Sequence, residues 1–215
     1  MINISSSSIL SAVKQAFVNL CEGDYSTEDP KLWKEEPALI TVRGGLKNKR
    51  ALFYLESNCF KYSFDYHSFF PIISKKVIRL EIDHWQKEFI KSDRLKRFII
   101  YFKRHPLSKR AIIDLWDEKY RNSKKPVPCL IYLLFRKNRQ KLEMHAHLRA
   151  NNTLFNLLMD MHALMGIQQI VADKLGLETG NYIHCVDSLV FFKKDLQTIK
   201  KQSDFIKKSL IWRKI

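Results

Sequence analysis

The chain has 215 residues, 46% of them hydrophobic and 28% charged. It is long enough for one sizeable core and too apolar for intrinsic disorder, and it holds no apolar run of membrane-spanning length. A formal charge of +16, from 38 Lys+Arg against 22 Asp+Glu, sets up a positive field that draws phosphates. The basic clusters at 47–50, 96–105, 136–141 and near the end are scattered, which favours nucleotide phosphates and a generally basic surface over a dedicated nucleic-acid reader.

The opening MINISSSSIL lacks the basic lead and long apolar run of a secretory signal. Residues Ser8 to Cys21 carry apolar side chains at helical spacing, with a serine cluster to cap the start and Glu22-Gly23 to end the run. A polar loop (24–37) leads to a strand at ALITV, turned by Gly44-Gly45 toward a second strand candidate, KRALFYLE. The aromatic stretch 59–75 reads as core, and KKVIRLEI as another strand. From Gln86 to Arg104 the pattern suits a basic amphipathic helix stopped by His105-Pro106. AIIDLW (111–116) reads as a mostly buried strand.

A hairpin is the best-defined unit. PCLIYLLF (128–135) and KLEMHAHLR (141–149) flank a polar turn, and the second arm alternates Leu142, Met144, Ala146 and Leu148 against Glu143, His145, His147 and Arg149. A turn near 139 puts Cys129 across from Arg149, whereas a one-residue slip separates their faces. Residues 153–175 form the longest helical run, with Gly176 as its stop and Asp160 and His162 interrupting its apolar pattern. A strand at 180–192 and a final basic helix complete a single domain over 1–215, with no internal repeat or linker.

Four cysteines lie far apart without a CxxC pair, so neither a disulfide framework nor a zinc site is indicated, and a reduced cytoplasmic setting is expected. His145 and His147 share a face but lack a third ligand, so no metal site is assigned. Cys129 follows Pro128 directly, and a neighbouring arginine can stabilise a thiolate or clamp a phosphate with paired hydrogen bonds. Lys109-Arg110 adds further charge. Taken alone, Cys129 reads first as a small buried hydrophobe, Arg149 as a strand-end surface charge and Asp160 as an exposed residue on a helix turn.

The spacing of these residues resembles that of the thymidylate synthase superfamily, which includes the deoxycytidylate and cytidylate hydroxymethylases. Lys109-Arg110 with AIIDLW is similar to the family's basic pair followed by RRI-hydrophobic-W, with Trp116 in place. Pro128-Cys129 stands where the family has its nucleophile, Arg149 where it has the arginine of RSxxD, and Asp160 where it reads the base. The intervals Arg110–Cys129, Cys129–Arg149 and Arg149–Asp160 are 19, 20 and 11 residues. LETGNYIH is similar to the family's later glycine turn and strand. The resemblance runs ungapped over about 105–195, with a weaker echo in EG…ALITVRGG.

The resemblance implies an α/β (α+β) fold, a twisted mixed sheet flanked by helices, with sheets packed back to back in a homodimer. It implies one-carbon transfer from 5,10-methylenetetrahydrofolate to carbon 5 of a pyrimidine nucleoside monophosphate. Cys129 is then the nucleophile, and Arg149 binds phosphate and supports the thiolate. Lys109 and Arg110 bind phosphate across the dimer in shared active sites, and Trp116 and Asn152 fall at cofactor-side positions. An ionised aspartate at 160 accepts from cytosine's amino group and opposes uracil's carbonyl, so CMP or dCMP hydroxymethylation is expected.

The chain departs from the family at Asn152, where the family has a folate-contacting aspartate, and at Val190-Phe191-Phe192, where it has a sugar-binding His-x-Tyr. Leu130 replaces a polar residue, and no motif marks a general base, for which Glu56 and Glu81 are candidates. The alternatives are a non-catalytic nucleotide-binding or assembly protein of this fold and, less favoured, a basic nucleic-acid-associated protein. No membrane partner is expected.

Overall fold

The computed structural model describes residues 1–45, 93–124 and 127–211. The strand candidates at 49–56 and 75–82, the aromatic stretch 59–75, the start of the basic helix (86–92), Glu56 and Glu81 lie outside the described residues.

Seven strands form one mixed sheet: β1 (Ile2–Ser6), β2 (Leu32–Val42), β3 (Ile112–Asp114), β4 (Leu130–Asn138), β5 (Lys141–Leu148), β6 (Asn151–Asn152) and β7 (Glu178–Phe192). Their order is β1-β2-β7-β5-β4-β3, with the short β6 beside β7. Among the described residues four α-helices accompany them: α1 (Ile9–Glu22), α2 (Asp93–Arg104), α3 (Leu157–Leu175) and α4 (Leu196–Ile211). β1 and β2 are parallel, joined through α1, and β5 and β7 are parallel, with β6 and α3 between them in sequence. The hairpin β4–β5 and the β2–β7 pair are antiparallel. This is the α+β architecture that the resemblance implies.

Strand periodicity sorts the side chains onto two faces. One cross-strand row runs Ile4, Ile40, His184, Ala146, Leu133, Ile113, and every member is buried. The next row on the other face runs Leu39, Cys185, His147, Tyr132, and every member is only half-buried. α1 and α3 pack on the first face. α3 is buried almost all round from Leu157 to Ala172, so it is the core helix rather than an amphipathic cover. Gln168 of α3 donates to the Leu142 carbonyl at 2.8 Å, beside the register shift between Leu142 and Met144. A polar side chain thus satisfies a carbonyl that the broken ladder leaves over.

Local chemistry explains the boundaries. Ser8 accepts from the Ser11 amide and caps α1, and Gly176 closes α3 with φ +68°. Four readings need correction. β1 forms from MINISS, where the sequence signalled only a cap. β2 starts at Leu32, inside the stretch read as loop, and its Pro37 sits at the shift between Glu36 and Ala38, where a missing N–H costs nothing. α3 starts at Leu157, because residues 153–156 form the turn that leads into it. AIIDLW is an alternating edge strand rather than a buried run: Ala111, Ile113 and Leu115 are buried, whereas Ile112 is 43% exposed.

Candidate active site

The hairpin register decides the first question. Leu130 pairs with Leu148, and the Arg149 amide donates to the Cys129 carbonyl at 2.9 Å, so the cysteine and the arginine face each other across the strand ends. Cys129 is exposed. Arg149 donates through Nε to the Pro128 carbonyl (3.2 Å) and through a terminal nitrogen to the Val127 carbonyl (3.4 Å). Its guanidinium lies over the Trp116 ring, 5.9 Å from the centroid. Trp116 is held in turn by its amide on the Ile131 carbonyl and by Tyr120 at its edge. Arg149 therefore braces the backbone that presents Cys129.

Two residues beyond Arg149 the chain enters the core. Asn151, 2% exposed, donates from Nδ2 to Asp160 Oδ2 (3.1 Å) and to His184 Nε2 (3.2 Å). Asp160 is 4% exposed, in the first turn of α3. The exposed helix-turn residue that the sequence suggested is instead a buried carboxylate with an amide donor. His184 is held neutral, its pKa pushed down to about 3 by burial. Accepting at Nε2, it donates from Nδ1 to the Tyr182 hydroxyl oxygen at 2.6 Å. Burial, and then the negative charge of Asp160, hold the Tyr182 phenol well above its ordinary pKa. Turning the Asn151 amide over would set its oxygen against the carboxylate, so the network has one favourable arrangement. Asn151, His184 and Tyr182 escaped the sequence reading. Their signal is the period of β7, where Tyr182, His184 and Val186 share the buried face.

The other sequence-predicted residues lie on different surfaces. Lys109 and Arg110 are exposed on the turn before β3. Arg110 lines an open cleft of about 480 Å³ between α2 and β3, together with Arg94, Arg97, Tyr101 and Asp114. Arg94 is tied there to the Asp114 carbonyl at 2.6 Å. Asn152 accepts from the Leu154 amide at 3.0 Å and so shapes the turn before α3. That bond takes one of the two lone pairs of its oxygen, and the position carries a neutral amide where the family has a carboxylate. Val190 and Phe191 are core residues, Phe191 packing edge-on against Phe17 at 4.8 Å, and they carry no polar group for a sugar.

The family model for thymidylate synthase matches residues 60–209. The chain belongs to the thymidylate synthase family. It is similar to the thymidylate synthase of Phytoplasma mali, 23% identical over 65% of this chain and 50% of that protein. It is likewise similar to that of Mycoplasma mobile, 22% identical over 54% of this chain and 40% of that protein. The chain thus spans half or less of the length of these curated relatives. Family membership agrees with the hairpin, which sets Cys129 and Arg149 at the spacing that carried the resemblance, and with the mixed sheet. Low identity spreads the differences along the matched length, and Asn152 and Val190–Phe192 are among the positions that depart from the pattern behind the resemblance.

Proposed function

We propose that this protein acts on carbon 5 of a pyrimidine nucleoside monophosphate, with a cytosine base as substrate. The observation that carries the reading is the placement of exposed Cys129 opposite Arg149, whose guanidinium braces the cysteine's own loop over Trp116. Cationic surroundings favour the thiolate, which is the nucleophilic form. The thiolate adds to carbon 6 of the ring, forming a carbon–sulfur bond while the electron pair of the 5,6 double bond moves onto carbon 5 and, through carbon 4, onto N3. Carbon 5 becomes nucleophilic and can take up an electrophile. Loss of its proton then expels the thiolate and restores the ring. Asp160 accepts hydrogen bonds, and Asn151 holds it in place, which suits cytosine's amino group and disfavours uracil's carbonyl.

In this reading Lys109 and Arg110 bind phosphate across a homodimer whose sheets pack back to back. Methylenetetrahydrofolate is the one-carbon source that the family implies, and when bound it supplies the carbon electrophile. The poor match at Asn152 makes folate dependence the sharpest point to test.

Tritium release from carbon 5 of labelled CMP and dCMP, with and without methylenetetrahydrofolate, tests the reading. Release is expected to vanish in Cys129→Ala, and Asp160→Asn is expected to move preference toward the uridine nucleotides. Retained cytosine preference in Asp160→Asn overturns the base assignment. A second reading, a nucleotide-binding or assembly protein without catalysis, is favoured by the burial of Asp160 and by the apolar Val190–Phe191 positions. No release from any of the four nucleotides while they still bind establishes it.

A further inference from the structure

The half-buried row on the second face of the sheet holds a cluster that the proposed chemistry does not use. His147 of β5 sits beside Cys185 of β7 in register, and Asp187 lies two residues further along β7. One ligand atom from each of the three side chains lies within 4.8 Å of the others. His147 Nε2 is 3.0 Å from both Asp187 oxygens. His147 Nδ1 is 3.1 Å from the Tyr132 hydroxyl, the next member of the same row. His145 takes no part; the partners of His147 come from β7, with Asp187 lying 40 residues later.

We infer that His147, Cys185 and Asp187 form a binding site for a zinc-like divalent cation, with Tyr132 orienting the imidazole. The mixed nitrogen, sulfur and oxygen donors suit a borderline-soft ion and disfavour calcium and magnesium, which select oxygen. Tetrahedral zinc sets such donors roughly 3.3–3.5 Å apart, so a small rotation of the Cys185 side chain closes the present spread. Three protein ligands leave a fourth position open to water or to an incoming group.

Proton bookkeeping is consistent with this. With the proton on Nε2 toward Asp187, the imidazole accepts at Nδ1 from Tyr132. With metal, the imidazole proton moves through solvent to Nδ1 and is donated to the Tyr132 oxygen, so Nε2 offers its lone pair. A hydroxyl serves in both states because it donates and accepts. The Cys185 thiol releases its proton to solvent as the metal–sulfur bond forms. A reactive cysteine is the rival explanation; the Asp187 carboxylate beside the thiol repels a free thiolate, whereas a bound cation neutralises both groups. Two adjacent strands fix the donors in place, as a preorganised site requires.

The inference does not depend on the proposed nucleotide chemistry. Its test is titration of chelator-treated full-length protein with Co²⁺, followed by competition with Zn²⁺. The expected result is a thiolate-to-cobalt charge-transfer band with tetrahedral-intensity visible bands, saturating at one ion per chain and displaced by Zn²⁺. The band should disappear in Cys185→Ser and persist in Cys129→Ser and Cys21→Ser. Tyr132→Phe should keep the band while weakening affinity by about tenfold or more, as loss of an orienting partner does. Far-ultraviolet circular dichroism confirms that each variant is folded. Absence of a thiolate band in the parent protein, or its survival in Cys185→Ser, overturns the site.

Discussion

The two faces of the sheet hold the same pair of residue types, a histidine with a tyrosine, in opposite circumstances. On the covered face His184 and Tyr182 are fully enclosed beneath α3, and the imidazole is neutral because no water is present to solvate its charge. On the open face His147 meets Tyr132 and an exposed carboxylate, within reach of solvent. The comparison teaches that a motif's chemistry depends on the face it occupies. Burial turns one pair into a structural strut beside Asp160, while exposure leaves the other available to a ligand.

The largest effect that tests this contrast is acid denaturation. His184 and His162 have folded pKa values of about 3 and about 4, both below the ordinary 6.5, so the unfolded chain binds more protons than the folded one. Their stability contribution is intact above pH 6.5 and is lost as pH falls below it, each at about 1.4 kcal/mol per pH unit. Both contribute down to about pH 4, and His184 alone below that. Urea midpoints measured from pH 8 to pH 4 should show this fall, and His162→Gln should flatten it. A flat profile would mean that these imidazoles reach water.

Next in size is Asn151→Leu, which takes both donors from the buried Asp160–His184 pair and should destabilise by about 3 kcal/mol. Thermal unfolding measures it, and a loss within 0.5 kcal/mol, on the order of a neutral surface change, would show that the network contributes nothing. The two tyrosines give the most direct contrast. Tyr182→Phe strands the buried His184 N–H and should cost about 1–3 kcal/mol, whereas water replaces the hydroxyl lost in Tyr132→Phe, at about 0.5 kcal/mol or less. Equal losses would erase the distinction between the faces. The smallest effect belongs to Asp187→Asn without metal: a half-exposed polar contact such as His147–Asp187 contributes about 0.5 kcal/mol or less.

The hairpin was legible because its signals are local: strict alternation from Leu142 to Leu148 and a polar turn closed by Arg139, whose φ of 55° only a short connection tolerates. The spacing that pointed to Cys129, Arg149 and Asp160 was likewise readable along the chain. The Asn151–Asp160–His184–Tyr182 network was not, because its members come from β6, α3 and β7, and no window spans all three. Asp160 misled for a related reason. A carboxylate on a helix is usually solvated, and only the all-round burial of α3 reverses that expectation. β1 was missed because five residues give too short a period to weigh against a serine cluster that also caps α1.

β7 has a consequence for synthesis. Its residues hydrogen-bond to β2, whose partners lie about 140 residues earlier, as Ile40 with His184 shows. β1, α1 and β2 therefore leave the ribosome long before the strand that completes their sheet, and β2 keeps a bare edge in the meantime. Non-local pairing of this kind slows folding, and unpaired edges invite association between nascent chains. Until β7 is made, the β1–α1–β2 unit lacks the partner that closes the β2 edge in the finished sheet.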